Sequence, residues 1–200
     1  QGASIDVINV GNQTSEPTSE PTLRKALAIG ADRAIRINTE PIDGFFVAKQ
    51  IAEFIKENPY DLIIAGRESI DYNGAMVPGL IAGFLNIDYV TNCTKLDVEN
   101  GKVTLDREID GGKETLLGSL PIIIGGQKGL VEESDLRIPN MRGIMQARQK
   151  PLDTIEPFDF SPNTSTIKFH KPEPKQAVKL VDSDNLDELI NLLHNEAKVL

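Results

Sequence analysis

The hydrophobic pattern of the first eighty-five residues switches repeatedly between two periods. "ASIDVINVG" and "DLIIAG" are short, nearly continuous apolar runs that end in glycine, which predicts buried strands of a parallel sheet. "LRKALAIG" and "DGFFVAKQIAEFIKENP" instead place apolar residues at helical spacing. In the second, Phe46, Val47, Ile51, Phe54 and Ile55 form one stripe that stops before Pro59. Such a stripe covers a sheet, so its phenylalanines are expected in the core. "DRAIRI" follows Gly30 as a short strand, and the loop "RESIDYNGAMVPG" leads into a helix "LIAGFL". This β-α-β alternation predicts an α/β fold with a parallel sheet. "TSEPTSEPT" is a tandem copy whose prolines are expected to forbid helix until about Thr22, with Thr22 as the cap of the helix that follows.

From residue 89 the period becomes two. "YVTNCTKLDVENGKVTLDREI" alternates about Asn100-Gly101, a strong hairpin signal. "KETLLGSLPIIIGG" gives two more short strands, joined to the hairpin through Asp110-Gly111-Gly112. Residues 89–126 therefore read as an antiparallel extension on a parallel core. After Lys150 the chain is rich in proline and poor in apolar clusters, as an extended arm is. It closes on "SDNLDELINLLHNEAKVL", a capped amphipathic helix with Leu186, Leu189, Ile190 and Leu193 on one face. An α/β domain over 1–150 and an arm over 151–200 are the expected divisions, and the apolar face on the arm calls for a partner subunit.

Composition narrows the function. The 200 residues are 40% hydrophobic, enough for a core, while a net charge of -9 argues against a nucleic-acid binder, which needs clustered Lys and Arg. The single cysteine, Cys93, has no internal disulfide partner and reads as a small buried side chain in a reducing compartment. No apolar run approaches the roughly 18 residues of a membrane span, so no direct membrane insertion is expected. The sequence opens without Met and already inside a strand, so a native N-terminus upstream is the expectation.

Catalytic groups are scarce. His170 and His194 are the two histidines and neither has metal-ligand spacing, so no metal site is expected. There is no Gly-x-Ser-x-Gly elbow and no Walker A loop, and "GGQKG" at 125–129 is only a fragment of a phosphate loop. Glu108, Asp110 and Glu114 could imitate an acid/base pair, but a solvated hairpin turn is the favoured reading. The strand-end loops after Gly11 and Gly66 are the better-placed features, because open parallel sheets bind ligands at the carboxyl ends of their strands. From the residues alone this is an α/β nucleotide-binding partner protein.

Several segments carry a family resemblance. "LRKALAIGADRAIRI", "DLIIAGRESID", "GIMQARQKPL" and the terminal "NEAKVL" are similar to the β subunit of electron transfer flavoproteins. "DREIDGGKETLLGSLPIII" resembles that family's most characteristic motif, Arg-Glu-Ile-Asp-Gly-Gly followed by Glu-x-Leu and a proline. The likeness runs from Ser4 to Leu200. It implies a Rossmann-like parallel sheet of the adenine-nucleotide-binding type, with an antiparallel hairpin extension and an extended C-terminal arm. It also implies a heterodimer whose α subunit carries FAD and is embraced by the arm, and which passes electrons from flavoprotein dehydrogenases, such as acyl-CoA dehydrogenase, to a downstream acceptor. The chain itself is then an electron-carrier subunit with no catalytic residue, located in the bacterial cytoplasm or the mitochondrial matrix.

Position by position, the resemblance places nucleotide binding on Val10 and on Gly66, Arg67, Glu68, Ser69, Ile70, Asp71, Tyr72, Asn73, Gly74, Ala75, Met76 and Val77. AMP, or a second FAD in bifurcating members, is the implied ligand. Ala75, Met76 and Val77 stand where the family has polar phosphate contacts, which leaves backbone N–H groups at the helix start to hold a phosphate. Partner docking falls on Arg137, Ile138, Pro139, Asn140, Met141, Arg142, Gly143, Ile144, Met145 and Gln146, a recognition loop with Met141 at its centre. Glu108 falls on the acid that tethers the mobile flavin domain through an Arg of α. The TSEP repeat lengthens a loop by four residues, and the family's first strand, with its loop and helix, has no counterpart in this sequence. Two other classes share the strand-helix layout. A stand-alone adenine-nucleotide sensor would lack the Ile-Asp-Gly-Gly hairpin and the arm, and an ATP-consuming pyrophosphatase-like enzyme would need a Ser-Gly-Gly-type loop.

Overall fold

The computed structural model of the chain describes residues 2–12, 19–70, 72–174 and 177–200. The chain divides into two compact units, Gln1–Thr166 and Ile167–Leu200. The first is mixed α/β with two sheets. In one, β1 (Asp6–Val10), β2 (Arg33–Ile37) and β8 (Leu152–Ile155) run parallel in the order β1-β2-β8. The proline-rich run expected as an arm thus first contributes a strand. The other sheet has the order β3-β7-β4-β5-β6, from β3 (Leu62–Gly66), β4 (Asp88–Glu99), β5 (Lys102–Ile109), β6 (Gly112–Ser119) and β7 (Ile122–Gly126).

Alternation of side chains across the strands decides what each face packs on. Ile35 and Ile37 of β2 turn to α2 (Gly44–Glu57), joined by Val10, Ile123 and Ile81 of α3 (Val77–Leu85) in one core. The predicted stripe holds, for Phe46, Phe54 and Ile55 are buried and Val47 and Ile51 pack beside them. Phe45 meets Phe84 edge-on at 5.3 Å and ties α2 to α3. On the opposite face Val7, Ala34 and Leu152 meet Leu23 and Leu27 of α1 (Glu20–Ile29) and Ala147 of α4 (Met141–Ala147).

Four expectations need correction. α1 begins at Glu20 rather than after a Thr22 cap, and α3 begins at Val77 within the expected loop, each with a proline in its first turn. Proline there removes only an N–H that has no intrahelical acceptor. Residues 13–18 of the TSEP segment lie outside the described residues. β3 is not fully buried, because it is paired on one side only and Ile64 is 60% exposed. Last, 89–126 is not antiparallel throughout, since β7 pairs parallel with both β3 and β4.

The reason for that mixture is a bend. β4 pairs with β7 at its start and with β5 at its end, with one register shift between Val90 and Cys93, across Asn92 at φ 53, and another between Cys93 and Lys95. The hairpin then folds over the back of β7, where Val103 and Leu105 bury against Ile122 and Ile124, around Cys93. Both turns form as read. Asn100 and Gly101 have φ of 50 and 77, and Gly111 has φ 86, a conformation that suits glycine.

The second unit holds an extended run and α5 (Leu186–Asn191), whose cap Asn185 accepts from the Glu188 N–H, followed by a wider helical turn to Glu196. Leu186, Leu189 and Ile190 are exposed, in keeping with the expected apolar face. Among the described residues no helix is long and apolar enough to cross a membrane, and no group of three acidic, His or Cys side chains could hold a metal.

Candidate functional site

The loop after β3 is held mostly by its own backbone. Arg67 N–H donates to Gly126 O (3.1 Å), Asn73 N–H to Ser69 O (2.8 Å), and the Arg67 side chain pairs with Glu68. Ile70 is fully exposed, and Tyr72 OH lies 3.3 Å from Thr166 Oγ1. Asp71 lies outside the described residues. Asn73 and Ala75 both have φ 48, a conformation that L residues rarely adopt, with Gly74 between them. Met76 is then the N-cap of α3, with no side-chain hydrogen bond to the first turn. Met76 gives the first turn no side-chain cap and Pro78 has no N–H, so the backbone donors that this helix start could offer a phosphate are those of Val77 and Gly79. Val10 and Val77 both enter the core beneath, so Val10 supports this loop from below.

The hairpin turn does not build an acid/base pair. Register sets Glu114 opposite Arg107, with which it forms an ion pair, and Glu108 opposite Lys113, so Glu108 and Glu114 lie on opposite faces. Glu108 Oε2 accepts instead from Gln127 Nε2 at 3.1 Å, and Asn92 Nδ2 donates to the Glu108 carbonyl at 3.3 Å. These residues line an open cavity of about 570 Å³ together with Arg67, Arg107, Ile109, Asp110 and Gly111. The structure therefore brings Arg67, from the strand-end loop, and Glu108, from the hairpin, to one cavity.

The recognition segment is only half a loop. Asn140 Oδ1 accepts the Gly143 N–H (2.8 Å) and caps α4, so Met141 opens a helix rather than standing on a loop. The sequence hid this because the helix has seven residues, too few to stand alone. What holds it is α1. Arg24 Nη1 donates to the Ala147 and Lys150 carbonyls (2.8 and 2.9 Å), while Lys150 Nζ donates back to Leu27 O and Ala31 O (3.0 and 2.5 Å). Gly143 lies against α1 so closely that a Cβ would stand 2.5 Å from Ala28 O. Outward, Ile138 is 83% and Met141 74% exposed, with Met145 exposed one turn on.

A family model described as "Electron transfer flavoprotein domain" matches residues 1–159. The chain is 32% identical to electron transfer flavoprotein subunit beta of Bacillus subtilis (strain 168), an alignment covering all of this chain and 80% of the relative. The chain belongs to the electron transfer flavoprotein β-subunit family. It is also 35% identical to the β subunit of Syntrophomonas wolfei, over 88% of this chain and 71% of that one. A mitochondrial β subunit of Oryza sativa subsp. indica is 33% identical, over 100% and 79%. An electron-transfer role follows from that membership.

Sequence reading of this β-subunit relative missed Gln127 and Asn92, which hold Glu108, and Arg24 and Lys150, which hold α4. Polar residues that act by meeting a distant carbonyl or carboxylate leave no local pattern. "GGQKG" did carry a signal, but a different one. Gly125 is flanked so tightly by β3 and β4 that a Cβ would stand 2.9 Å from the Tyr89 hydroxyl, so the glycine serves packing.

Proposed function

We propose that the chain is the β half of a two-subunit electron carrier and that its surface positions partners rather than doing chemistry. An α subunit carries FAD, which supplies the redox chemistry. This chain gives it a base, and the exposed apolar face at Leu186–Ile190 is covered by that subunit. Ile138, Met141 and Met145 dock flavoprotein dehydrogenases such as acyl-CoA dehydrogenase. Glu108, kept oriented by Gln127, tethers the flavin domain through an Arg of α. The body is read as a Rossmann-like sheet of the adenine-nucleotide-binding type. Its loop from Gly66 to Val77 holds the phosphate of AMP, or of a second FAD, through backbone N–H groups.

The observation that carries this reading is the pairing on α4 of a rigidly held base with exposed Met141 and Met145. Exposed apolar side chains on a fixed element make good partner anchors, and one such anchor is worth about 2 kcal/mol or more. Met141→Ala in the complex with α should raise the KM for the carrier in a dehydrogenase assay by roughly tenfold or more, with flavin absorbance and subunit association unchanged. An unaltered KM would remove α4 from the docking surface.

A further inference from the structure

The buried side-chain atoms that have no hydrogen-bond partner among the described residues are Asn9 Oδ1, Ser19 Oγ, and Arg36 Nε and Nη1. They converge on one place. Asn9 and Arg36 are register partners near the C-terminal ends of β1 and β2, so their side chains share the face that carries α1. Ser19 opens α1, and Gly11 joins the two sides, since a Cβ on it would stand 2.6 Å from Asn9 Oδ1 and 3.3 Å from Ser19 Oγ. Arg36 is 2% exposed, and among the described residues its side chain donates from Nη2 to Thr154 Oγ1 at 3.0 Å on the far side. A guanidinium keeps its charge at any accessible pH, and a buried charge is costly unless something of opposite sign completes it. Glu20, the acidic residue in the first turn of α1, is turned toward Arg24 at 3.7 Å.

We propose that this pocket binds a tetrahedral oxyanion of the phosphate class. Arg36 offers two donors, and the Ser19 hydroxyl a third. The Asn9 amide, turned over, offers its Nδ2. In the first turn of the ten-residue α1, Pro21 has no N–H and Leu23 N–H donates to Ser19 O, so the N–H groups of Glu20 and Thr22 are those that add the positive end of the helix. Gly11 packs closely on both Asn9 and Ser19 and puts no side chain between them. The pocket is separate from the loop after β3, because Val10 points from the opposite face of β1 into the core beneath α2 and α3.

Titration of the full chain with inorganic phosphate, against potassium chloride at equal ionic strength, tests this by calorimetry and thermal melting. Phosphate should bind saturably and raise the melting temperature where chloride does not. Arg36→Met, which removes a buried charge and keeps the bulk, should weaken phosphate binding roughly tenfold or more. Should that variant fail to fold, Ser19→Ala and Asn9→Ala must each weaken binding. AMP in a second arm separates the sources. Nucleotide binding lost with Arg36 assigns the phosphate to a nucleotide, and nucleotide binding retained assigns the pocket to a free oxyanion. Phosphate that stabilises no more than chloride, or that binds Arg36→Met as tightly as the parent, overturns the proposal.

Discussion

α4 and the loop from Gly66 to Met76 are both short surface segments, yet they treat their polar groups in opposite ways. α4 is pinned at both ends. Asn140 closes its first turn, Arg24 its last, and Lys150 returns the favour to α1. Outward it carries exposed Met141 and Met145, flanked by exposed Arg142 and Gln146. The loop places Asn73 and Ala75 at positive φ and gives the start of α3 no side-chain cap from Met76. A segment meant to be grasped by a protein gains from a fixed apolar face. One meant to grasp an anion gains from unspent N–H groups.

That contrast can be broken most forcefully at Gly143. Gly143→Val drives side-chain atoms into Ala28 O and should cost about 1–3 kcal/mol by overpacking, lifting α4 from α1. Chemical denaturation would register it, and parent-like stability would mean that α4 is not seated as tightly as its caps imply. A smaller effect is expected at Asp43, which caps α2 beside the loop, where Gly44 packs on Met76. Burial pushes the Asp43 carboxyl up, but N–H donors from Phe46, Thr164 and Asn163 and the Thr164 hydroxyl outweigh it and hold it below the ordinary range. A depressed pKa stabilises above the unfolded value, about 3.9, and that stability drains away as pH falls through the folded value. Asp43→Asn should therefore cost about 1–2 kcal/mol near neutrality and flatten the acid limb of the stability profile. An acid limb identical to the parent's would show that other carboxylates set it. The smallest effect concerns the loop itself. Ala75→Gly should raise stability by about 0.5–1 kcal/mol, since glycine accepts φ 48 without strain. A loss instead would mean that the Ala75 methyl makes contacts worth more than the strain.

Much of the architecture was legible because it rests on local rules. The α2 stripe, the Gly30 stop and both hairpin turns are settled by residues within a few positions of one another. The failures share a different cause. Pro21 and Pro78 looked like helix breakers, although a first turn tolerates them. Ile64 looked buried because apolar runs cannot report which edge of a sheet goes unpaired. The bend of β4 at Asn92 depends on where the hairpin finds apolar cover. Of the candidate sites, the stretches came from family likeness, whereas what fixes them in space did not. Gln127 under Glu108 and Arg24 under α4 act across 19 and 123 residues of chain.

Cys93 gives the folded-over hairpin a further use. Its thiol is wholly enclosed, donates to Lys95 O at 3.1 Å, and is pushed by burial toward the protonated, unreactive form. As the sole cysteine of the sequence, it is a built-in stopwatch. A thiol reagent can reach it only when β4 and β5 part from β7, so the labelling rate in native buffer counts those openings without a mutation or an added probe. Followed with and without a partner subunit, the same clock would tell whether assembly slows the hairpin that carries Glu108.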